Sequence, residues 1–244
     1  MALFQSSVVR NRLLSALGAD DFALLEPKLE RVPLVFDTVL ISYQPIEHVY
    51  FPESGIVSAI IHTEEGRIEV GMIGREGMVG VPVILGLDQS PHSFLIQGAG
   101  EALRIPTQDL RAAIAERPSI FRPLGLFTHT LMVQIGQTAY ANVVHNTEVR
   151  LARWILLTQD RLDTEELPLT HEFLSAMLGV RRPGVTSATH TLEASGSIRN
   201  KRGRIEVLRR DNLLELTGDA YQAGVDEYER VMGPPQGDRQ KLSG

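Results

Sequence analysis

Residues 167–210 read LPLTHEFLSAMLGVRRPGVTSATHTLEASGSIRNKRGRIEVLRR, and their order of capping, apolar and breaking residues predicts two short helices and a hairpin. Thr170 is suited to cap a helix beginning near His171, because its side-chain oxygen can accept a first-turn amide that has no partner. Phe173, Leu174, Met177 and Leu178 recur at helical spacing and form one apolar face. Gly179 follows where a helix ends on a left-handed residue, which glycine adopts at little steric cost. A second helix is predicted from about Pro183, since proline's fixed φ suits a first turn. Val185, Ala188 and Leu192 then point inward, leaving Thr186, Ser187 and His190 with Arg181 and Arg182 on the other side. Gly196 closes that helix, and 197–199 and 204–208 read as strands around Asn200-Lys201-Arg202-Gly203, a hairpin signal.

This order of elements is a winged helix-turn-helix. Such a pair of helices can also be mere packing, but the charge favours DNA. From 181 to 210 there are eight cations (Arg181, Arg182, Arg199, Lys201, Arg202, Arg204, Arg209, Arg210) against Glu193 and Glu206, a local balance of +6 in a chain of net charge -6. A positive surface on an acidic protein attracts phosphate, while the negative remainder limits indiscriminate adhesion. Thr170, Arg181, Arg182, Thr186, Ser187, His190, Arg199, Lys201, Arg202 and Arg204 are the predicted DNA contacts.

The stretch resembles the C-terminal domain of the Crp/Fnr family of bacterial transcription regulators. The likeness is carried by Leu167-x-Leu-Thr, Leu178-Gly-Val-Arg-Arg-Pro, Val185-Thr and the SIRNKRGRIEVL wing. It implies that Arg182 occupies the position of an arginine that reads guanine. Pro183 and Ser187 stand where well-known members carry a glutamate and a second base-reading arginine, so the docking mode carries over and the operator sequence does not.

The 244 residues suit two domains, with 43% hydrophobic and 22% charged residues. No apolar run approaches the roughly 20 residues that span a bilayer. The N-terminal MALFQSSVVRNRLLSAL lacks a small-residue cleavage site after a sustained apolar core and is not read as a signal peptide. Zero cysteines exclude disulfides and thiolate-bound clusters, and the chain is expected to be cytoplasmic and soluble.

Residues 4–31 read as helical, with stripes at Leu13, Leu14 and Leu17 and at Phe22, Leu24, Leu25 and Leu29. From 32 to about 105, β-rich runs (35–41, 48–51, 56–62, 67–73, 93–97, 101–106) alternate with turn residues, the pattern of a small barrel or jelly roll. The resemblance makes this a cyclic-nucleotide-binding-type barrel. Gly74, Arg75, Glu76, Gly77, Ser90 and His92 are the candidate effector pocket, since glycines let backbone approach a ligand. Tight barrel corners use glycine equally. A buried cyclic phosphate wants a cationic fork, which cyclic-AMP-binding relatives supply as an arginine before the strand that begins here near Ser93. Here Ser90-Pro91-His92 stands in that place, and no Arg or Lys lies between Arg75 and Arg104. Cyclic AMP is therefore not expected to bind in the usual way. Haem, which some members use to sense gases, is disfavoured because the seven histidines show no ligand spacing. Zinc motifs are absent, and neither cofactor nor metal is expected.

After Pro118 a long helix is predicted over 119–145. Leu124, Phe127, Leu131, Gln134, Thr138 and Ala141 recur in steps of three and four, a coiled-coil-like seam expected to join two copies. A helix packed on its own barrel would show the same pattern. Asn146-Thr147-Glu148 is a capping cluster before a helix over 149–161 holding Trp154, expected in the core near the hinge. A polar loop at 160–166 precedes the helix-turn-helix. After the wing, Asp211 is read as capping a short helix, and 221–232 as a last amphipathic one.

The predicted fold is α+β: a sensor-type barrel domain (1–117), a dimerisation helix (118–145), a winged helix-turn-helix domain (146–232) and a disordered tail (233–244). The implied function is a homodimeric, sequence-specific regulator that binds double-stranded operator DNA. The resemblance adds RNA polymerase as a partner and no membrane. The alternative is a cyclic-nucleotide-binding module whose helix-turn-helix makes protein contacts. No nucleophile–base set, metal cluster or phosphate-loop lysine suggests an enzyme.

Overall fold

A computed structural model describes residues 9–64, 66–162 and 166–233. Two short helices, α1 (Arg12–Ser15) and α2 (Ala19–Leu25), lead into β1 (Glu30–Leu34). The helical reading of 4–31 is corrected here: 4–8 lie outside the described residues, Gly18 is an extended N-cap that separates the helices, and Glu30 and Arg31 already pair in a sheet. Then follow β2 (Val39–Ile41), β3 (His48–Pro52), β4 (Ile56–Thr63), β5 (Gly66–Ile73), the one-turn α3 (Val81–Ile84), β6 (Ser93–Gly98) and β7 (Gly100–Pro106). The strand expected over 35–41 is shorter, because Asp37 adopts a left-handed φ of 62° and turns the chain before Val39.

These strands form two antiparallel sheets, β1-β7-β3 and β2-β6-β4-β5, as a jelly roll requires. Leu34, Val49, Phe51, Val57, Ile73, Ile96, Leu103 and Ile105 fill the space between them as one core. Register places Glu30 opposite Arg104, and the two side chains pair at 2.7 Å.

Helix α4 (Thr107–Glu116), which the sequence reading left unassigned, leads through a single 3-10 turn into α5 (Phe121–Val144). The Asn146 side chain caps α6 (Thr147–Gln159) by accepting the Val149 amide at 3.0 Å. Next come β8 (Glu166–Leu167), α7 (His171–Leu178), α8 (Arg182–Ala194), β9 (Ile198–Lys201), β10 (Arg204–Val207), α9 (Arg210–Thr217) and α10 (Asp219–Met232). Glu166 thus belongs to a strand of the wing sheet β8-β10-β9, not to a loop, while 163–165 lie outside the described residues. Asp211 is inside the first turn of α9, whose N-cap is Arg209, so it complements the helix dipole without capping. Of the tail expected to be disordered, 234–244 lie outside the described residues.

The predicted dimer seam needs correction. Leu124, Phe127, Leu131 and Ala141 are buried within the single chain, and the Gln134 side chain accepts the Met72 amide of β5 at 2.6 Å. Half-buried Thr138 donates to the Gln134 carbonyl of its own helix. The apolar part of this stripe is therefore already used within the chain. The opposite face of α5 is apolar as well and is uncovered: Met132 is 67% and Val143 87% exposed, with Tyr140 and Val144 beside them.

A second core joins barrel and C-terminal elements. Ile56, Ile60, Met72 and Leu95 on the outer side of the four-stranded sheet pack with Leu151, Trp154 and Ile155 of α6. Trp154 is buried at this junction.

Candidate nucleic-acid interface

The Thr170 Oγ1 accepts the Phe173 amide at 3.1 Å and caps α7. Leu174, Met177 and Leu178 bury its apolar face against the second core. Gly179 takes φ 61°, which favours glycine, and a Cβ there would also lie 2.7 Å from Ile68 Cδ1, so that side chain would have to shift. The Ser175 hydroxyl then donates to the Val180 carbonyl and tightens the turn into α8.

Arg181 is the extended N-cap of α8, with Pro183 in the first turn. Val185, Ala188, Thr189 and Leu192 are buried, while Arg181, Arg182, Ser187 and His190 are exposed and Thr186 half-buried on the opposite side. The N-terminal turn of α8 thus offers two cations and short polar side chains to solvent, a combination able to contact phosphates and base edges.

The wing is less free than its sequence suggests. Arg199 pairs with Glu206 at 3.2 Å, Lys201 with Glu166 at 2.7 Å and with Glu206 at 2.9 Å, and Arg204 with Glu166 at 3.1 Å. Hydrogen bonds from Lys201, then Arg204, hold the Glu166 carboxyl below its ordinary range. Among the described residues Arg181, Arg182 and Arg202 have no ion-pair partner. The exposed pairs of the wing are weak and can exchange for phosphate, but the intrinsic charge of the face is smaller than the count from 181 to 210. Glu166 was invisible to that count because it lies upstream in sequence and opposite the hairpin in space.

His171 also escaped the sequence reading. Its Nδ1 lies 3.1 Å from Thr186 Oγ1 and its Nε2 3.4 Å from Asn200 Nδ2, so it ties together α7, α8 and the wing. Thr186 Oγ1 already donates to the Arg182 carbonyl, which makes it the acceptor of an Nδ1–H and leaves Nε2 to accept from Asn200. Burial, then the charges of Arg182 and His190, lower the His171 pKa and favour this neutral form.

The six residues of the expected effector pocket do not form one pocket. Residues 74–77 make a tight turn, closed by the Gly77 amide donating to the Gly74 carbonyl at 3.1 Å. A Cβ on Gly77 would sit 2.2 Å from Phe127 Cζ, and one on Gly74 2.7 Å from Arg161 Cγ. The glycines therefore make room for Phe127 of α5 and for Arg161, just past the end of α6. Glu76 pairs with Arg161 at 2.6 Å, and both line a cavity of about 290 Å³ that also includes Arg75. Ser90 and His92 stand elsewhere, with the His92 amide donating to Ser90 Oγ at 3.1 Å. Among the described residues no three His, Asp or Glu side chains converge as a metal site, and no helix is long and apolar enough to cross a membrane.

A cyclic nucleotide-binding domain profile matches residues 37–117, and that of a Crp-like helix-turn-helix domain matches 149–216. Fold and site thus define a DNA-binding transcription regulator that carries a cyclic nucleotide-binding domain. The chain belongs to the Crp/Fnr family, whose members are transcription regulators and not enzymes.

Solved structures similar to it include a crp/fnr-family regulator from Eubacterium rectale (18% identity, 84% of this chain and 97% of that one, TM-score 0.67). FixK2 from Bradyrhizobium japonicum is also similar (16% identity, 77% and 96%, TM-score 0.66). A third is the c-di-GMP-responsive global regulator CLP of Xanthomonas campestris (15% identity, 78% and 99%, TM-score 0.64). At these identities the likeness is one of fold. No curated protein matches the chain.

Proposed function

We propose that the protein binds a pseudo-palindromic operator as a homodimer, with α8 in the major groove and the wing on the phosphate backbone. The observation that carries this reading is the two-sided α8: an inner face buried through Val185, Ala188, Thr189 and Leu192, and an outer face led by Arg181 and Arg182, which have no ion-pair partner among the described residues. The predicted site residues on α8 and the wing keep their assigned roles in it, with Arg182 reading a base and Arg202 a phosphate. Dimerisation is assigned to the exposed face of α5 through Met132, Tyr140, Val143 and Val144, which no described residue covers. Two-fold symmetry would set the recognition helices about one DNA turn, roughly 34 Å, apart.

Cyclic AMP is not the effector in this reading. The interior of the jelly roll is filled by side chains, and the segment before β6 offers Ser90 and His92 where a phosphate wants a guanidinium. The barrel domain, the linking helix and the DNA-binding domain keep the boundaries 1–117, 118–145 and 146–232. The cytoplasm is the expected compartment, and contact with RNA polymerase belongs to the same proposal by family resemblance.

The test is fluorescence anisotropy of the full chain on upstream-promoter and random DNA over a salt series, with and without cyclic AMP. Specific, salt-dependent binding without nucleotide is expected. Binding only with cyclic AMP would overturn the effector reading, and no salt-dependent binding in either arm would overturn the DNA reading. Sedimentation of Val143→Glu should show monomers where the parent sediments as a dimer.

A further inference from the structure

We propose that the cavity enclosed by α5, α6, α10 and the 74–77 turn is a binding site for a small organic anion with a flat apolar body, seated on Arg153. The site is distinct from the interior of the barrel and does not include Ser90 or His92. It is independent of whether the protein binds DNA.

Arg153 lines this cavity and is only 7% exposed. Its Nε donates to the Ala220 carbonyl at 2.7 Å and its Nη2 reaches the Gln134 carbonyl at 3.5 Å. Among the described residues no carboxylate lies within ion-pair distance of it. Burying a guanidinium with two carbonyls as its only partners leaves a charge uncompensated in a medium that solvates it poorly. Arg161, also 7% exposed, is on the same wall, and its Nε is buried without a hydrogen-bond partner. Burial lowers the Arg153 pKa to about 10; through-space attraction to Glu69 raises it, and repulsion from Arg161 lowers it. Glu69 itself is pushed up to about 7 by burial, so it is only partly charged near neutrality and neutralises Arg153 incompletely.

The acids on the cavity wall are already used. Glu76 pairs with Arg161 at 2.6 Å, and Asp160 pairs with Arg210 at 2.6 Å and accepts from Tyr221 at 2.7 Å. Glu229 is on the exposed rim. Arg12, another wall residue, stacks 4.6 Å over the Tyr228 ring. Beside Arg75, Thr130 and Gln134, the remaining walls are apolar or aromatic: Phe127, Leu131, Leu157 and Val225, with the rings of Tyr221 and Tyr228. A chamber of about 290 Å³ that sets aliphatic and aromatic faces beside an uncompensated buried guanidinium suits an anionic head on a flat hydrophobic body. Because its walls come from the barrel turn, the long helix, α6 and α10, an occupant would touch elements of both the sensor and the DNA-binding domain.

The test uses the full chain and phenyl phosphate and benzoate as probes, with phenol as the neutral control, by calorimetry and thermal shift. Phenyl phosphate or benzoate should bind once per protomer and raise Tm with the logarithm of concentration, while phenol should not. Arg153→Gln should weaken binding about tenfold or more, as expected for a lost charge-assisted hydrogen bond. Gly224→Leu fills the cavity from α10, where an added Cβ meets open space, and leaves every arginine in place. It should abolish binding in a protein that folds normally. Undiminished anion binding by Gly224→Leu, equal binding of phenol and phenyl phosphate, or no binding of either anion would each overturn the proposal.

Discussion

Trp154 of α6 donates its indole Nε1–H to Oε1 of Glu69 on β5 at 3.0 Å, and this bond crosses from the DNA-binding elements to the barrel. The other oxygen of the same buried carboxyl accepts from Ser58 at 2.6 Å and from Gln97 at 2.7 Å. Gln97 Oε1 is buried and unpartnered, so an amide flip would let it accept a hydrogen bond from the O–H of a neutral Glu69. The junction between the two domains therefore holds a carboxyl that can be hydrogen-bonded in either charge state.

Burial raises Glu69 from 4.5 to about 7, outweighing the hydrogen bonds that lower it. A raised folded-state pKa contributes stability that is fully present below pH 4.5 and is lost as pH rises through about 7. By linkage the loss is roughly 3 kcal/mol. Glu69→Gln, whose amide can donate to Ser58 and to a flipped Gln97, should remove this dependence. Denaturant unfolding at pH 5 to 8 should show the variant gaining on the parent as pH rises; parallel curves would sink the idea.

Arg182→Ala should cost about 1–3 kcal/mol for the preferred operator while sparing random DNA. Arg202→Ala should weaken both alike and flatten the salt slope by about 0.9. Anisotropy titrations separate the two effects, and an unchanged specificity ratio in Arg182→Ala would refute the docking geometry.

Glu166→Gln frees Arg204 from its pair across the wing sheet and leaves Lys201 with Glu206 alone. DNA affinity at low salt should rise severalfold and the salt slope should steepen, because Arg204 no longer exchanges partners on binding and Lys201 is held by one carboxylate fewer. A variant with parental affinity and slope would mean that the wing does not touch phosphate.

Gly77→Ala puts a methyl 2.2 Å from the buried ring of Phe127. Overpacking there should destabilise the fold by about 1–3 kcal/mol, and Phe127→Leu in the same chain should recover part of it. Thermal unfolding of both variants tests this, and lack of recovery would show that the clash is relieved some other way.

His171 has a lowered pKa, so the stability it contributes is present above about 6.5 and is lost as pH falls through its folded-state value. The Tm difference between the parent and His171→Gln should shrink on acidification. A constant difference from pH 7 to pH 5 would leave His171 without a role in pH dependence.

The helix-turn-helix was readable from the sequence because its signals act over a few residues: the Thr170 cap, left-handed Gly179, and Pro183 in the first turn of α8. The strand alternation and the missing arginine before β6 are local in the same sense. Helix α5 shows where such reading stops. Its Leu124–Phe127–Leu131 stripe and its Met132–Val143 stripe are both apolar, and periodicity states that a face is buried without stating against what. Contact with the barrel assigned the first stripe to the chain itself and left the second open. The same holds for charge. Glu166 meets Lys201 across 35 residues and Glu69 meets Trp154 across 85, separations that no local pattern encodes. Arg153 reads as an ordinary helix cation until α10 folds over it, and only that packing makes its charge a feature of a cavity.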